Sequence, residues 1–259
     1  MKLGWAVVLA CIAATGGCGG KQIPFDLGSA TGNWQVTFVT DGTSAQRTGG
    51  GFLGQVGQNV TGAFVLAGPC AGSGNITGSV DRQAVTLGLS QTGQRFSLVG
   101  VLSQDNSTMM GTYATTVTSC VQAPETGTWT ATQVKPVDGS FAGTFASNQG
   151  LGTLHLAGTL TQQLKPNGGT LANITGPLIS TDSTCLVSPT GLPLTLNGTI
   201  TGTEISFSVD DPSAGSLGTF SGTTSFDGKT ITVTDYSFVV PNTNGQVICD
   251  AGNGTVALQ

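Results

Sequence analysis

"GVLSQDNSTMMGTY" at residues 100–113 and "GTTSFDGKTITVTDY" at 222–236 repeat one local pattern. At an offset of about 122, Gly100 falls on Gly222, Ser103 on Ser225, Asp105 on Asp227, Asn106 on Gly228 and Thr108 on Thr230. Asp-Asn and Asp-Gly between runs rich in β-branched residues are tight-turn chemistry: Asn and Gly tolerate positive φ, and Asp bonds backbone two residues on. Tyr113 and Tyr236, the chain's two tyrosines, follow within one residue of register. A cysteine comes next in each half, Cys120 and Cys249, and then "GTWTATQV" from Gly127 and "GTVALQ" from Gly254. Upstream, Cys70 precedes "ITGSVDRQAVTLGLS", Cys185 precedes "ITGTEISFSV", and "NWQVTFVT" (33–40) aligns with "GSFAGTFA" (139–146). Single glycine matches are cheap in such a chain; the ordered set of Cys, Ile-Thr-Gly, Asp turn, Tyr, Cys and Gly-Thr is not. The chain reads as an internal duplication.

Each half carries eight candidate strands: 33–40, 52–57, 60–66, 75–80, 84–90, 95–102, 108–116 and 127–134, then 139–146, 152–162, 170–179, 192–200, 203–209, 217–225, 229–239 and 252–258. Trp34, Val36 and Phe38 share one face by alternation, as do Val85, Leu87 and Leu89, and Ile205, Phe207 and Val209. No stretch after residue 20 shows a capped helical stripe. Charged residues are 8% of the 259, against roughly 25% in ordinary soluble domains. Forty-one glycines punctuate the short runs, and Ser and Thr supply the polarity. The expectation is an all-β chain of two tandem antiparallel meanders, closed or flattened into barrels or sandwiches, with repeat 1 over 31–136 and repeat 2 over 137–259. An outer-membrane barrel is disfavoured, because aromatics are 6% and form no paired girdles.

"MKLGWAVVLACIAATGGCGG" has one early lysine, an apolar run from Leu3 to Ala14 and then small residues, the pattern of an export signal and too short to span a bilayer. Thr15-Gly16-Gly17-Cys18 resembles the four-residue box that closes the signal of bacterial lipoprotein precursors, with Thr15 in place of the usual Leu. The resemblance implies a signal over 1–17, diacylglycerol (with palmitate-type chains) on Cys18 as the new N-terminus, and a tether over 18–30. Cys11 is the rival acceptor, and an ordinary secreted protein cut near Gly17 is the alternative. Two or more acyl chains at about 0.8 kcal/mol per buried CH₂ anchor a protein stably. In that family an Asp directly after the Cys often retains the protein in the inner membrane; Gly19 stands there instead, so the resemblance favours the outer membrane or the cell surface over the inner membrane.

Beyond the signal region the cysteines are Cys70, Cys120, Cys185 and Cys249. An even number in an exported chain favours two disulfides. The duplication places one in each half, Cys70–Cys120 and Cys185–Cys249, with cross-half pairing as the rival. No Cys/His spacing resembles a zinc site, so no metal and no cofactor is expected.

The net charge is −5 and no basic run exceeds one residue, which excludes a phosphate-tracking nucleic-acid surface. His155 is the single histidine; between Leu154 and Leu156 it falls on the outward face, and no GxSxG elbow accompanies it. "GGGFLG" at 49–54 matches GxGxxG in form but reads as lying between two strands, without the helix that would hold a pyrophosphate. Asp210-Asp211-Pro212 reads as a turn. Gly32-Asn33-Trp34 is similar to the G-x-W of the lipocalin and avidin barrels; that resemblance implies a cavity for a small apolar ligand, whereas Trp34 as a barrel-end plug implies none. The reading is a non-catalytic, lipid-anchored envelope or surface protein with a binding or structural role. Its partners are the membrane through the lipid, and a glycan, a protein or a small apolar ligand. A calycin-like carrier and an envelope hydrolase are the alternatives.

Overall fold

The computed structural model describes residues 28–43, 45–68, 70–116, 123–163, 172–180, 185–186, 193–242 and 245–259. Cys11, Cys18 and Cys120, with the signal and most of the tether, lie outside them. β1 (Gly32–Thr40), β2 (Gln46–Val56), β3 (Asn59–Leu66), β4 (Gly72–Asp81), β5 (Ala84–Gln91), β6 (Gln94–Leu102), β7 (Thr108–Thr115) and β8 (Thr126–Val134) run up and down in order. β8 pairs back onto β1, from Asn33↔Val134 to Thr40↔Gly127, and closes a barrel. β9 (Gly139–Ser147), β10 (Thr153–Gln163), β11 (Ala172–Ser180), β12 (Leu194–Thr201), β13 (Glu204–Asp211), β14 (Gly215–Thr224), β15 (Thr230–Asn242) and β16 (Gly245–Leu258) repeat the plan, closed by β16 on β9. The chain is all-β: two closed antiparallel eight-stranded barrels in tandem.

Alternation decides which side faces in. Trp34, Val36 and Phe38 of β1 are fully buried, while Gln35, Thr37 and Val39 point outward. In the first barrel Phe38, Phe96 and Tyr113 stack at centroid distances of 5.3–6.0 Å. In the second, Tyr236 meets Phe145 edge-on at 5.5 Å and Phe238 at 5.0 Å. Apolar rings fill the inside and hydroxyls coat the outside, the inverse of a barrel that faces lipid.

The turns beginning at Ser103 and Ser225 are built alike. Ser103 Oγ donates to Asp105 Oδ1 (2.6 Å) and Ser225 Oγ to Asp227 Oδ1 (2.5 Å), and the same serine oxygens accept the amides of Thr108 (2.9 Å) and Thr230 (3.0 Å). Asn106 and Gly228 occupy the left-handed position, with φ of 58° and 71°. Two versions of one sequence therefore make one hydrogen-bonded turn.

Two expectations are corrected. β2 begins at Gln46, six residues before the expected start, so "GGGFLG" lies within a strand rather than between two. Its glycines are required by close packing: a Cβ on Gly51 would stand 2.0 Å from the Ala63 carbonyl oxygen, and one on Gly49 2.5 Å from that of Val65. β16 likewise begins at Gly245 rather than 252.

Cys185 and Cys249 are bonded, with Cα atoms 5.7 Å apart. Cys185 lies between β11 and β12 and Cys249 in β16, strands well separated around the barrel, so the bond ties Cys185 to a distant part of the barrel wall. Cys185 and Leu186 pack into the core from there. Closing a loop of 64 residues is worth about 4 kcal/mol in the chain-entropy model. Cys70 is buried; its expected partner, Cys120, lies outside the described residues.

The barrels touch. Asn33, 3% exposed, donates its Nδ2 to the Gly202 carbonyl (2.7 Å) and accepts the Gly202 amide at Oδ1 (2.8 Å). Gln35 Oε1 accepts the Thr203 amide at 3.0 Å. A Cβ on Gly50 would lie 2.5 Å from Gly202 Cα, so the two backbones are in contact there. On a second side, the Lys135 amide donates to the Phe226 carbonyl (2.9 Å), and Phe52 and Val134 join the second barrel's core.

Candidate functional site

Outward-facing positions on β12–β15 are occupied mostly by hydroxyls, amides and a few carboxylates, whereas on β11 Thr175 is followed on that face by the exposed Pro177 and Ile179. Register carries one row across five strands: Thr175↔Asn197, Asn197↔Ser208, Ser208↔Thr219 and Thr219↔Ser237. A second row runs Thr199↔Ser206, Ser206↔Ser221 and Ser221↔Asp235. Because these side chains are short, the face holds a shallow groove of about 450 Å³ lined by Thr175, Asn197, Thr199, Ser206, Ser208 and Thr219 together with the apolar Gly198 and Phe207. Asp210 follows Ser208 on the same face of β13. Its Oδ2 accepts Asn197 Nδ2 (2.8 Å) and Ser208 Oγ (2.9 Å), which fixes the Asn197 amide. The groove thus offers fixed donors and acceptors, with no cation in its lining. Such a surface suits an uncharged, hydroxyl-rich partner and offers little to a phosphate.

The barrel interiors are the second place for a ligand. Trp34, which the G-x-W resemblance assigns to a cavity, is fully buried and donates its indole N–H to the Ala30 carbonyl (2.8 Å). It plugs its barrel end. Phe141 takes the equivalent place in the second barrel, beside an internal space of about 10 Å³. That is room for about one water. At that place in the second barrel the core leaves no room for the small apolar ligand of a calycin-like carrier.

At the mouths the duplicated pattern diverges. Tyr236 donates to Asp250 Oδ2 (3.1 Å), and Ser147 to Asp250 Oδ1 (2.6 Å). Burial first, and then the Asp250 carboxylate, push the Tyr236 phenol above its ordinary value. In the first barrel Tyr113 pairs with Thr40 at 2.9 Å, and the acid at the start of β8, Glu125, is taken instead by Arg47, whose Nη2 reaches both carboxylate oxygens at 2.6 Å.

The remaining sequence candidates fall apart in space. His155 is exposed on β10 opposite Thr144. Asp211 is buried and accepts the Ser213 and Ala214 amides at 2.7 and 2.9 Å, so Pro212 and its neighbours make a turn that begins after β13. Among the described residues no three His, Cys, Asp or Glu side chains gather as a metal site. The hydroxyl groove itself was not singled out from sequence; register alone assembles it, and Thr/Ser alternation on four successive strands was the signal that could have located it.

No family model matches the chain, and no curated protein matches it. Among solved structures it is similar to intact Ap-TbpB with its N and C lobes (9% identity, 88% of this chain and 76% of that one, TM-score 0.24). It is similar also to a double mutant of the vaccine antigen Transferrin Binding Protein B from Haemophilus parasuis Hp5 (10% identity, 88% and 75%, TM-score 0.24). At that TM-score neither likeness decides anything about fold or activity.

Proposed function

We propose that this chain is an exported, non-catalytic binding protein of the cell envelope, anchored by lipid on Cys18, that holds neutral glycan on the outer face of its second barrel. The observation that carries the binding half is the two-row hydroxyl and amide face with its 450 Å³ groove. Hydroxyl-to-hydroxyl contacts exchange water for a like partner at small net gain, so affinity per site is weak and repetition along a polymer supplies the avidity. The anchoring half rests on the Gly17-Cys18 junction after the apolar run, and the oxidising address agrees with the Cys185–Cys249 bond. A Cys70–Cys120 bond belongs to the same proposal.

Two measurements test it. Intact mass of the mature, non-reduced protein should report acylation at Cys18 and the loss of four thiol hydrogens; an unmodified Cys18 removes the anchor. Retention of the detergent-solubilised protein on immobilised neutral polysaccharide should fall at least tenfold in Ser206→Tyr, which fills the groove from an exposed position. Equal retention of parent and variant sinks the glycan face.

A further inference from the structure

The β12–β13 turn of the second barrel sits on β1 and β2 of the first and leaves a half-enclosed cleft of about 280 Å³ beside the contact. Its volume lies just under the usual range of small-molecule sites and suits a small ligand. The walls are held in place by the paired Asn33–Gly202 bonds and by Gln35 on the Thr203 amide. The floor is backbone: Gly50 rests against Gly202, where a side chain on either would collide.

The two walls differ in chemistry. One is apolar, made by Val65, which leaves 39% of its surface exposed, with Leu66 and Ala67 beside it. The other carries Glu204, the sole ionisable side chain of the lining, with the Thr48 and Thr201 hydroxyls at the rim. No Lys or Arg lines the space, and the described residues include no ion pair to Glu204. With a formal charge of −5 over the whole chain, the cleft attracts positive charge and has an apolar surface for what the charge is attached to.

We propose that this inter-barrel cleft binds a small organic cation, an alkylammonium whose head meets the Glu204 carboxylate while its tail lies along Val65 and Ala67. The cleft continues the outward face of β12 and β13 one register row beyond Thr199 and Ser206 but shares no lining residue with the hydroxyl groove, and the two are probed with different ligands, so either can fail without the other.

The test uses the full-length protein in detergent with n-butylammonium as probe, n-butanol as the uncharged match and butanoate as the charge-reversed one, read by calorimetry. Butylammonium should bind at least fivefold more tightly than butanol, with butanoate not binding. Glu204→Gln should erase the preference for the cation, and Val65→Lys, which puts a tethered ammonium into the cleft, should abolish binding; both residues are solvent-facing, so melting temperatures should stay at the parent value. Butanoate binding as well as butylammonium, no butylammonium binding, or parent affinity in either variant overturns the proposal.

Discussion

Arg47 and Leu154 occupy matching places in the two barrels: each lies opposite the second aromatic of its barrel's first strand, Phe38 or Phe145. One copy closes its core with leucine and the other with a guanidinium, 8% exposed, that spends Nη2 on Glu125 while its Nη1 is buried without a hydrogen-bond partner. A buried ion pair recovers little beyond its desolvation cost, yet removing one partner strands the other. Arg47→Leu should therefore destabilise the first barrel by about 2–4 kcal/mol through the orphaned Glu125, whereas Arg47→Leu with Glu125→Leu should return to within about 1 kcal/mol of the parent or exceed it. Urea unfolding followed by tryptophan fluorescence measures both, since Trp34 and Trp129 belong to that barrel's core. A double variant no better than the single would mean that the pair is a net stabiliser.

The elements were the most legible level, because a strand with one buried face writes its period into the sequence. Trp34, Val36 and Phe38 could be placed from alternation alone, and the Ser-x-Asp turns from their residues. β2 was misjudged at its start for a physical reason: Gly49, Gly50 and Gly51 resemble a loop locally, and only contact with β3 and with the second barrel makes glycine necessary there. The Asn33–Gly202 bonds, 169 residues apart, left no local trace at all. The turns carry a pH prediction. Hydrogen bonds from Ser103, and then from Ser107, hold the Asp105 carboxyl down to about 2, and Ser225 with the Lys229 amide lowers Asp227. A carboxylate depressed in the folded state contributes its stability fully above the ordinary carboxylate range and loses it as pH falls through the folded value. Carbon-13 titration of the folded protein should accordingly find the Asp105 midpoint near 2, and Ser103→Ala should raise it towards the unperturbed range; an unchanged midpoint would leave the hydroxyl without a role.

At the scale of the whole molecule, what matters is whether the barrels act as two bodies or one. Each has its own closed sheet and a core of its own, so each could unfold separately; what joins them is the Asn33–Gly202 clamp with Gln35 on the Thr203 amide beside it, the backbone contact at Gly50, the Lys135–Phe226 bond, and Phe52 and Val134 packed onto the second core. Asn33 is the member to remove, because it is 3% exposed and pairs with both the backbone N–H and the C=O of the buried Gly202. Asn33→Ala should cost about 2–3 kcal/mol, the penalty of leaving a buried N–H and C=O unpaired. That loss falls on the interface and not on either core. The expected signature is a single thermal transition that splits into two, with the disulfide-linked second barrel melting later. Reduction of Cys185–Cys249 should then move only the later transition, by an amount consistent with roughly 4 kcal/mol or less. If Asn33→Ala shifts one transition without splitting it, the cores rather than the clamp hold the barrels together, and the cleft beside the clamp would need another source of rigidity to bind anything small.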